Sequence, residues 1–250
     1  GERISLEEVH RFSNGAVHLP DGLHWDVLRL FEEIKRGIGL CVKRHGRGFS
    51  AVGIDTWGVD FALLDCRDGL LGNPHHYRDP RTDGMLEEAF KRVPKRKIFD
   101  MTGIQFMKVN TLYQLLAMSL EKSPLLEVAA SLLTIPDLFN FWLTGRKVCE
   151  FTNATTTQFY DPRKSDWARE LFNRMDLPTR VLQQVVQPGT VLGPLLGKVG
   201  EETGMGDVTV VAPACHDTGS AVAAVPAEVK DYAYISSGTW SILGVEIPEP

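Results

Sequence analysis

The segment that most constrains the fold of this chain spans residues 208–225 and reads VTVVAPACHDTGSAVAAV. Its β-branched apolar start predicts a buried strand, and the small residues from Gly219 onward suit a closely packed helix. Between them stands the polar group Cys215-His216-Asp217-Thr218. A carboxylate at such a junction is costly to desolvate unless it is hydrogen-bonded. The segment therefore predicts a strand–helix unit whose acidic residue has a partner or a task.

The first quarter of the chain repeats this alternation of strand and helix. Residues 4–12 alternate loosely and predict a strand, with a hairpin turn at Asn14-Gly15. Apolar residues recur at steps of three and four from Trp25 to about His45, which predicts an amphipathic helix. Residues 49–54 and 59–64 predict two short buried strands. Strand, helix and strand in succession indicate an α/β domain.

The rest of the chain mixes both kinds of element. Residues 86–143 predict mostly helix, with pieces at 110–120, 125–133 and 135–143. The threonine-rich residues 151–160 predict a strand with a polar turn, and residues 167–175 predict a short helix. Residues 232–245 predict a β-hairpin around Ser237-Gly238.

Composition excludes several classes of function. The net charge of -5 argues against nucleic acid as a partner, since phosphate binding needs a basic patch. The four cysteines lie far apart without metal-ligand spacing, so we expect thiols in a reducing cytoplasm and assign no residue to a metal site. The most apolar run, residues 115–133, is broken by charges and a proline, so no membrane helix is predicted.

The first candidate site is GIDTWGVDF, residues 53–61, where a strand ends at Asp55. Ligands bind at strand ends in open α/β sheets. Asp55 and Asp60 could accept hydrogen bonds from sugar hydroxyls, and Trp57 could stack on a sugar face. Gly58 would let a ligand approach the backbone. The alternative is a hairpin turn with a core tryptophan.

Two further segments carry polar side chains. YRDPRT, residues 77–82, places two arginines around an aspartate and a proline, which suits a fixed loop that presents donors to a polyol or an anion. The alternative is a solvated surface loop. EFTNATTTQF, residues 150–159, is interpreted as structural.

Asp217 is the candidate for catalysis. It lies near a predicted helix N-terminus, where backbone N–H groups and the helix dipole favour its charge, so a plain N-cap is the alternative. His216, Asp217 and Thr218 form a larger polar cluster than capping needs, and the small residues after them permit a close approach. Aspartate is ionised at neutral pH and can accept a proton from a hydroxyl group.

The last candidate is YISSGTWSI, residues 234–242. A tight hairpin there could hold a phosphate through backbone N–H groups and the Thr239 hydroxyl. It is not a Walker loop, and no G-x-G-x-x-G segment occurs.

In order along the chain, seven segments together resemble the FGGY family of carbohydrate kinases: GIDTWGVDF, YRDPRT, GIQFMKVNTLYQL, IPDLFNFWLTG, EFTNATTTQF, HDTGSAV and SSGTWSI. The resemblance implies a ribonuclease-H-like, actin-type ATPase fold of two domains, with sugar bound mainly by the first and Mg-ATP held largely by the second. GIDTWGVDF together with NATTTQ points to the branch that phosphorylates the 1-hydroxyl of L-rhamnulose. A sibling kinase acting on xylulose, fuculose or glycerol is the nearest alternative.

The resemblance also implies residue roles. Asp217 would be the general base, with His216 and Thr218 in sugar contact. Gly58 would line the sugar pocket, beside the Trp57 interpreted above as a stacking residue. Thr239, in the turn with Gly238, would contact the ATP phosphates. A phosphatase with an aspartyl nucleophile at Asp55 is disfavoured, because Trp57 stands where its second aspartate is required.

The resemblance gives an expected domain division. Residues 1–230 would form the sugar-binding domain and residues 231–250 the start of the ATP-binding domain. Relative to the family pattern, we expect a first strand and phosphate loop to be missing before Ile4, and the adenine-binding part to be missing after Pro250. A sugar-binding but inactive fragment is therefore a further alternative.

Overall fold

The computed structural model describes residues 4–247. The helices are α1 (Val27–His45), α2 (Met85–Arg92), α3 (Lys95–Thr102), α4 (Thr111–Leu120), α5 (Pro124–Val128), α6 (Ile135–Thr144), α7 (Phe151–Thr156), α8 (Arg169–Arg174), α9 (Gly197–Thr203) and α10 (Asp217–Ala223). The strands are β1 (Val17–Leu19), β2 (Gly22–His24), β3 (Ala51–Val52), β4 (Phe61–Leu64), β5 (Ser131–Thr134), β6 (Cys149–Glu150), β7 (Tyr160–Asp161), β8 (Asp166–Trp167), β9 (Val185–Val186), β10 (Thr190–Pro194), β11 (Thr209–Ala212), β12 (Ala233–Ser237) and β13 (Ser241–Val245).

The sheet that positions the candidate site has the strand order β10-β11-β3. β10 and β11 are antiparallel, whereas β11 and β3 run parallel with Thr209 opposite Ala51. The two parallel segments meet again beyond the strands, at a bridge between Thr56 and His216. The carboxyl ends of β3 and β11 therefore bring GIDTW and CHDT to one edge of the sheet, where open α/β sheets bind ligands.

The predicted amphipathic helix is confirmed as α1. The Asp26 carboxylate accepts a hydrogen bond from the Arg29 N–H at 3.1 Å and caps its start. Gly46, with φ of 75°, ends it after a basic last turn. Its buried face divides between two apolar clusters, one with β10 and β11 and one with β4, β5 and α6. α1 therefore joins the site-forming sheet to the rest of the domain.

A third apolar cluster underlies the middle of the chain. It packs α4 against α2 and includes buried residues of α8, and its largest fully buried side chains include Tyr113, Phe159 and Phe172. The β4–β5 pair forms one wall of it, with Phe61 opposite Thr134. Among residues 4–247, no helix is long and apolar enough to cross a membrane.

The predicted strand at residues 4–12 is wrong, because residues 4–16 have no regular structure. The hairpin turn lies at Pro20-Asp21, between β1 and β2, and not at Asn14-Gly15. The early segment is instead tied to α1 by polar contacts. His10 Nε2 lies 2.6 Å from a Glu33 carboxylate oxygen, and Arg44 donates to Glu7 at 2.7 Å.

Two other predictions fail for physical reasons. The predicted helix at 125–133 ends early, and β5 follows it. All four residues of β5 are buried, and such an apolar run has no periodicity to separate strand from helix. Residues 151–156 form the helix α7 and not the predicted strand. The hydroxyls of Thr155 and Thr156 donate to the backbone carbonyls of Thr152 and Asn153, each at 2.8 Å, which satisfies them in a helix.

Candidate active site

The backbone of residues 215–217 is held in place by the end of β3. Thr56 donates its N–H to the Cys215 carbonyl at 2.9 Å and accepts the Asp217 N–H at 2.8 Å. Asp217 is the first residue of α10, and His216 occupies the N-cap position. The tertiary fold thus brings the GIDTWGVDF segment and the segment that contains Asp217 together in one site.

The Asp217 side chain faces solvent. Its exposed fraction is 59%, and its carboxylate accepts hydrogen bonds from the Thr218 N–H at 2.6 Å and the Thr218 hydroxyl at 3.3 Å. His216 Nε2 lies 3.4 Å from the same carboxylate oxygen. Burial lowers the pKa of His216, and the charge of Asp217 offsets only part of this effect. The imidazole is therefore held toward its neutral form beside an accessible carboxylate.

A second carboxylate belongs to the same edge of the sheet. Partial burial raises the pKa of Asp55, and the negative charge of Asp217 raises it further. Repulsion between the two groups is what close carboxylates produce. Asp55 therefore lies in the negative field of Asp217, which favours a proton or a cation at Asp55.

Gly58 is buried where α7 crosses the turn after β3. A Cβ atom at this position would lie 2.8 Å from the Thr156 Cγ2 and 3.0 Å from its hydroxyl oxygen. The Thr156 hydroxyl also accepts the Val59 N–H at 3.0 Å. The side of Gly58 that a side chain would fill therefore touches α7, so close packing against Thr156 is the reason for a glycine here.

Trp57 lies beside a buried polar centre. Its indole N–H donates to the Asp60 carboxylate at 3.0 Å, and its ring centroid lies 4.1 Å from that of Trp25. Asp60 is fully buried and also accepts hydrogen bonds from Trp25, Tyr77 and Gln114. Burial raises the pKa of Asp60 to about 6, although these donors act in the opposite direction. The prediction that Asp60 binds a sugar hydroxyl is wrong, because its oxygens already serve the protein.

The YRDPRT segment extends this buried network. Arg81 donates to the Gln114 side-chain oxygen at 2.7 Å, and Gln114 in turn donates to Asp60 at 3.0 Å. Burial lowers the pKa of Arg81 to about 10. Asp79 is buried as well and accepts the Leu23 N–H at 2.7 Å. The alternative of a solvated loop is therefore wrong for Asp79 and Arg81.

Two residues at the start of α7 contact the Asp217 segment and were not among the sequence-predicted site residues. A Glu150 carboxylate oxygen accepts the Cys215 N–H at 2.9 Å, and the Thr152 hydroxyl accepts the His216 N–H at 3.1 Å. The sequence offers one signal for them, which is that Glu150 stands two positions before Thr152. The same pattern is typical of ordinary helix capping, so it does not indicate a functional site. The link to Cys215 spans 65 positions of the chain, so local pattern could not reveal it.

The predicted phosphate-binding turn lies at the tip of the β12–β13 hairpin. Gly238 donates its N–H to the Trp240 carbonyl at 2.8 Å, and Thr239 is exposed. β12 contacts α10, the helix that begins at Asp217. The hairpin therefore adjoins the helix of the candidate base, and its role with ATP stays a prediction.

The chain is similar to curated proteins named rhamnulokinase. It is 47% identical over 244 residues to the one from Oceanobacillus iheyensis, which covers 98% of this chain and 51% of that protein. It is 44% identical over 245 residues to the one from Halalkalibacterium halodurans, with 98% and 52% covered. The chain thus spans about half the length of the curated relatives it matches.

Solved structures show the same fold at low identity. A carbohydrate kinase from Novosphingobium aromaticivorans matches with a TM-score of 0.75 at 21% identity, over 92% of this chain and 50% of that one. A gluconate kinase from Lactobacillus acidophilus matches with a TM-score of 0.74 at 19% identity, over 80% and 41%. These likenesses confirm the predicted α/β, ribonuclease-H-like fold class. The family model described as "FGGY family of carbohydrate kinases, N-terminal domain" matches residues 16–224, and the chain therefore belongs to this family.

Proposed function

We propose that this chain is the sugar-binding half of an ATP-dependent kinase that phosphorylates the 1-hydroxyl of L-rhamnulose. The observation that carries the proposal is the exposed Asp217 carboxylate, which stands at the carboxyl edge of two parallel strands with its backbone bound to Thr56. The rhamnulokinase relatives support the choice of sugar, since they match this chain at 47% and 44% identity.

Asp217 acts in this proposal as the general base. Phosphoryl transfer passes through a loose transition state, so the protein contributes mainly positioning and charge stabilisation. An ionised aspartate within hydrogen-bond reach of the sugar 1-hydroxyl accepts its proton as the oxygen attacks, which is worth roughly 10²–10⁴-fold in rate. The neutral His216 imidazole and the Thr218 hydroxyl oxygen would serve the remaining sugar hydroxyls, Thr218 as an acceptor because its hydrogen is donated to Asp217.

Gly58 and Trp57 shape the other side of the proposed sugar site. Trp57 is fixed by its bond to Asp60 and by the ring of Trp25, so a sugar that packs on it orders no further side chain. Gly58 acts by bringing the turn against Thr156, which sets the distance between this turn and α7.

The residues present fit Mg²⁺ and ATP. Asp55 would supply a carboxylate in the negative field of Asp217, and Mg²⁺ is usually held by one or two carboxylates together with substrate phosphates. Residues 4–247 hold no cluster of three or more candidate metal ligands, so phosphate and water oxygens would complete the shell. When bound there with ATP, Mg²⁺ would neutralise charge on the transferring phosphoryl group. Thr239 and Gly238 would contact the ATP phosphates at the hairpin tip.

The domain division and the compartment belong to the same proposal. Residues 1–230 would be the sugar-binding domain, which agrees with a family match that ends at residue 224. Residues 231–250 would begin the ATP-binding domain. Free thiols at Cys41, Cys66, Cys149 and Cys215 suit a reducing cytoplasm, where ATP is supplied.

The test measures sugar binding by the chain itself and ADP release by a chimera in which the chain replaces the matching half of the Oceanobacillus iheyensis relative. L-rhamnulose, L-fuculose, D-xylulose and glycerol are compared, with Asp217→Asn beside the unaltered chain. We expect turnover with L-rhamnulose, reduced roughly 10²–10⁴-fold in Asp217→Asn while sugar binding persists. Preferred turnover of another sugar would refute the substrate, and an Asp217→Asn variant of full activity would refute the base.

A further inference from the structure

We infer that Glu150 and Thr152 are positioning residues, which hold the backbone of Cys215 and His216 and thereby aim the adjacent Asp217 carboxylate at the sugar. This inference rests on the proposed function of Asp217. It concerns residues outside the sugar site itself, since both act through the backbone of the neighbouring segment.

Glu150 is a fully buried carboxylate whose contacts converge on this segment. One oxygen accepts the Thr152 N–H at 3.0 Å, and the other accepts both the Thr152 hydroxyl and the Cys215 N–H. A buried carboxylate is costly unless such donors compensate it. The Glu150 backbone N–H is itself bound to the Asp137 carboxylate at 3.1 Å, which ties the residue to the start of α6. The acceptor for Cys215 therefore cannot shift without breaking several bonds.

The Thr152 hydroxyl links Glu150 to the next residue of the segment. It donates its single hydrogen to Glu150 and accepts the His216 N–H at 3.1 Å. Since a hydroxyl has one donor hydrogen, these two bonds determine its orientation. Serine could make both bonds, and valine, which has nearly the same shape, could make neither.

Thr56 holds the same segment from the side of the sheet, through the Cys215 carbonyl and the Asp217 N–H. The N–H groups of residues 215, 216 and 217 are thus bound in turn to Glu150, Thr152 and Thr56. A Cβ at Gly219 would lie 3.2 Å from the Thr152 Cβ, so the first turn of α10 rests on Thr152 as well. Thr152 therefore contacts both His216, which precedes the catalytic Asp217, and the first turn of α10, which follows.

The exposed position of Asp217 explains why such support matters. Its side chain faces solvent, so packing around the carboxylate cannot orient it. A misplacement of about 1 Å at a reacting group costs on the order of 100-fold in rate. The fold therefore places the base through the backbone contacts of Glu150 and Thr152 together with those of Thr56.

The test compares Thr152→Val, Thr152→Ser and Thr155→Val. Thr155 is a matched control because it lies in the same helix and its hydroxyl donates only to the Thr152 carbonyl at 2.8 Å. Amide hydrogen exchange of His216 is measured by NMR in the chain itself. We expect exchange at least about tenfold faster in Thr152→Val, and unchanged exchange in Thr152→Ser and Thr155→Val. Equal exchange in all variants would overturn the inference.

Kinetics in the chimera then test the consequence for catalysis. We expect Thr152→Val to lower kcat by about 10- to 100-fold with KM for sugar within about threefold, and Thr152→Ser to restore kcat. Faster His216 exchange with an unchanged kcat would overturn the positioning role, provided that Asp217→Asn lowers turnover by the roughly 10²–10⁴-fold expected above. A fully active Asp217→Asn would instead refute the proposed function, and His216 exchange alone would then decide whether Thr152 holds the segment.

Discussion

Gly58 lies in the turn after β3, where the structure leaves no space for a side chain. A Cβ there would lie 2.8 Å from the Thr156 Cγ2, 3.0 Å from its hydroxyl oxygen and 3.1 Å from its Cβ. Real Cβ atoms do not approach so closely, so Gly58→Ala must push α7 away from the turn. Such overpacking costs about 1–3 kcal/mol, and the entropy that alanine removes from the unfolded chain offsets about 0.4–1 kcal/mol of it.

The clash can be assigned to Thr156 by a double-mutant cycle. Thr156→Ser removes the nearest methyl group but keeps the hydroxyl that accepts the Val59 N–H. Because the hydroxyl oxygen and Cβ remain close, we expect Gly58→Ala/Thr156→Ser to recover only part of the loss. The expected coupling free energy is about 1 kcal/mol, within the usual range for residues in contact.

The assay is urea unfolding followed by tryptophan fluorescence, with the free energy of unfolding taken from each transition. Gly48→Ala is the control, since nothing lies within 4 Å of a Cβ at that position. It should be neutral or slightly stabilising. A Gly58→Ala variant as stable as Gly48→Ala would refute the steric argument, and a cost unaffected by Thr156→Ser would assign the strain to another neighbour.

Three further predictions concern single substitutions. Burial raises the pKa of Asp137 to about 7. Between about pH 4 and pH 7 this carboxyl group therefore takes up a proton when the protein folds. The free energy of unfolding should fall as pH rises through this range, by up to about 1.4 kcal/mol per pH unit. Unfolding at pH 5 to 8 should show this slope in the difference from Asp137→Asn, and a constant difference would contradict it. Asp60→Ala leaves the indole N–H groups of Trp25 and Trp57 without their acceptor and removes one acceptor of the Gln114 amide. We expect a loss of at least about 3 kcal/mol, and a calorimetric loss below about 1 kcal/mol would refute the buried network. Gly197→Ala at the start of α9 meets nothing within 4 Å and should raise the free energy of unfolding by up to about 1 kcal/mol, so destabilisation would be inconsistent with this open environment.

Patterns with a clear period were predictable from the sequence. The three- and four-residue steps from Trp25 gave the position of α1, and the apolar run before Cys215 gave β11 followed by α10. Short elements without a period were not predictable. α7 has only six residues and several threonines, and its helical form depends on Glu150 at its start and on packing against β6 and β7. Tertiary context therefore decided against local propensity there.

In the candidate site, too, local patterns were predictable from the sequence and long-range contacts were not. The sequence by itself determined the α/β class and the family, because these depend on residue order and local composition, and it predicted which segments carry chemistry. Only the tertiary structure decided that Asp60 serves two tryptophans, that Gly58 makes room for Thr156, and that Glu150 and Thr152 hold the backbone before Asp217. Those contacts join residues 64 or 65 positions apart in the case of α7 and the Asp217 segment. They depend on how β3 and β11 pair and on where α7 packs, and no local pattern encodes either.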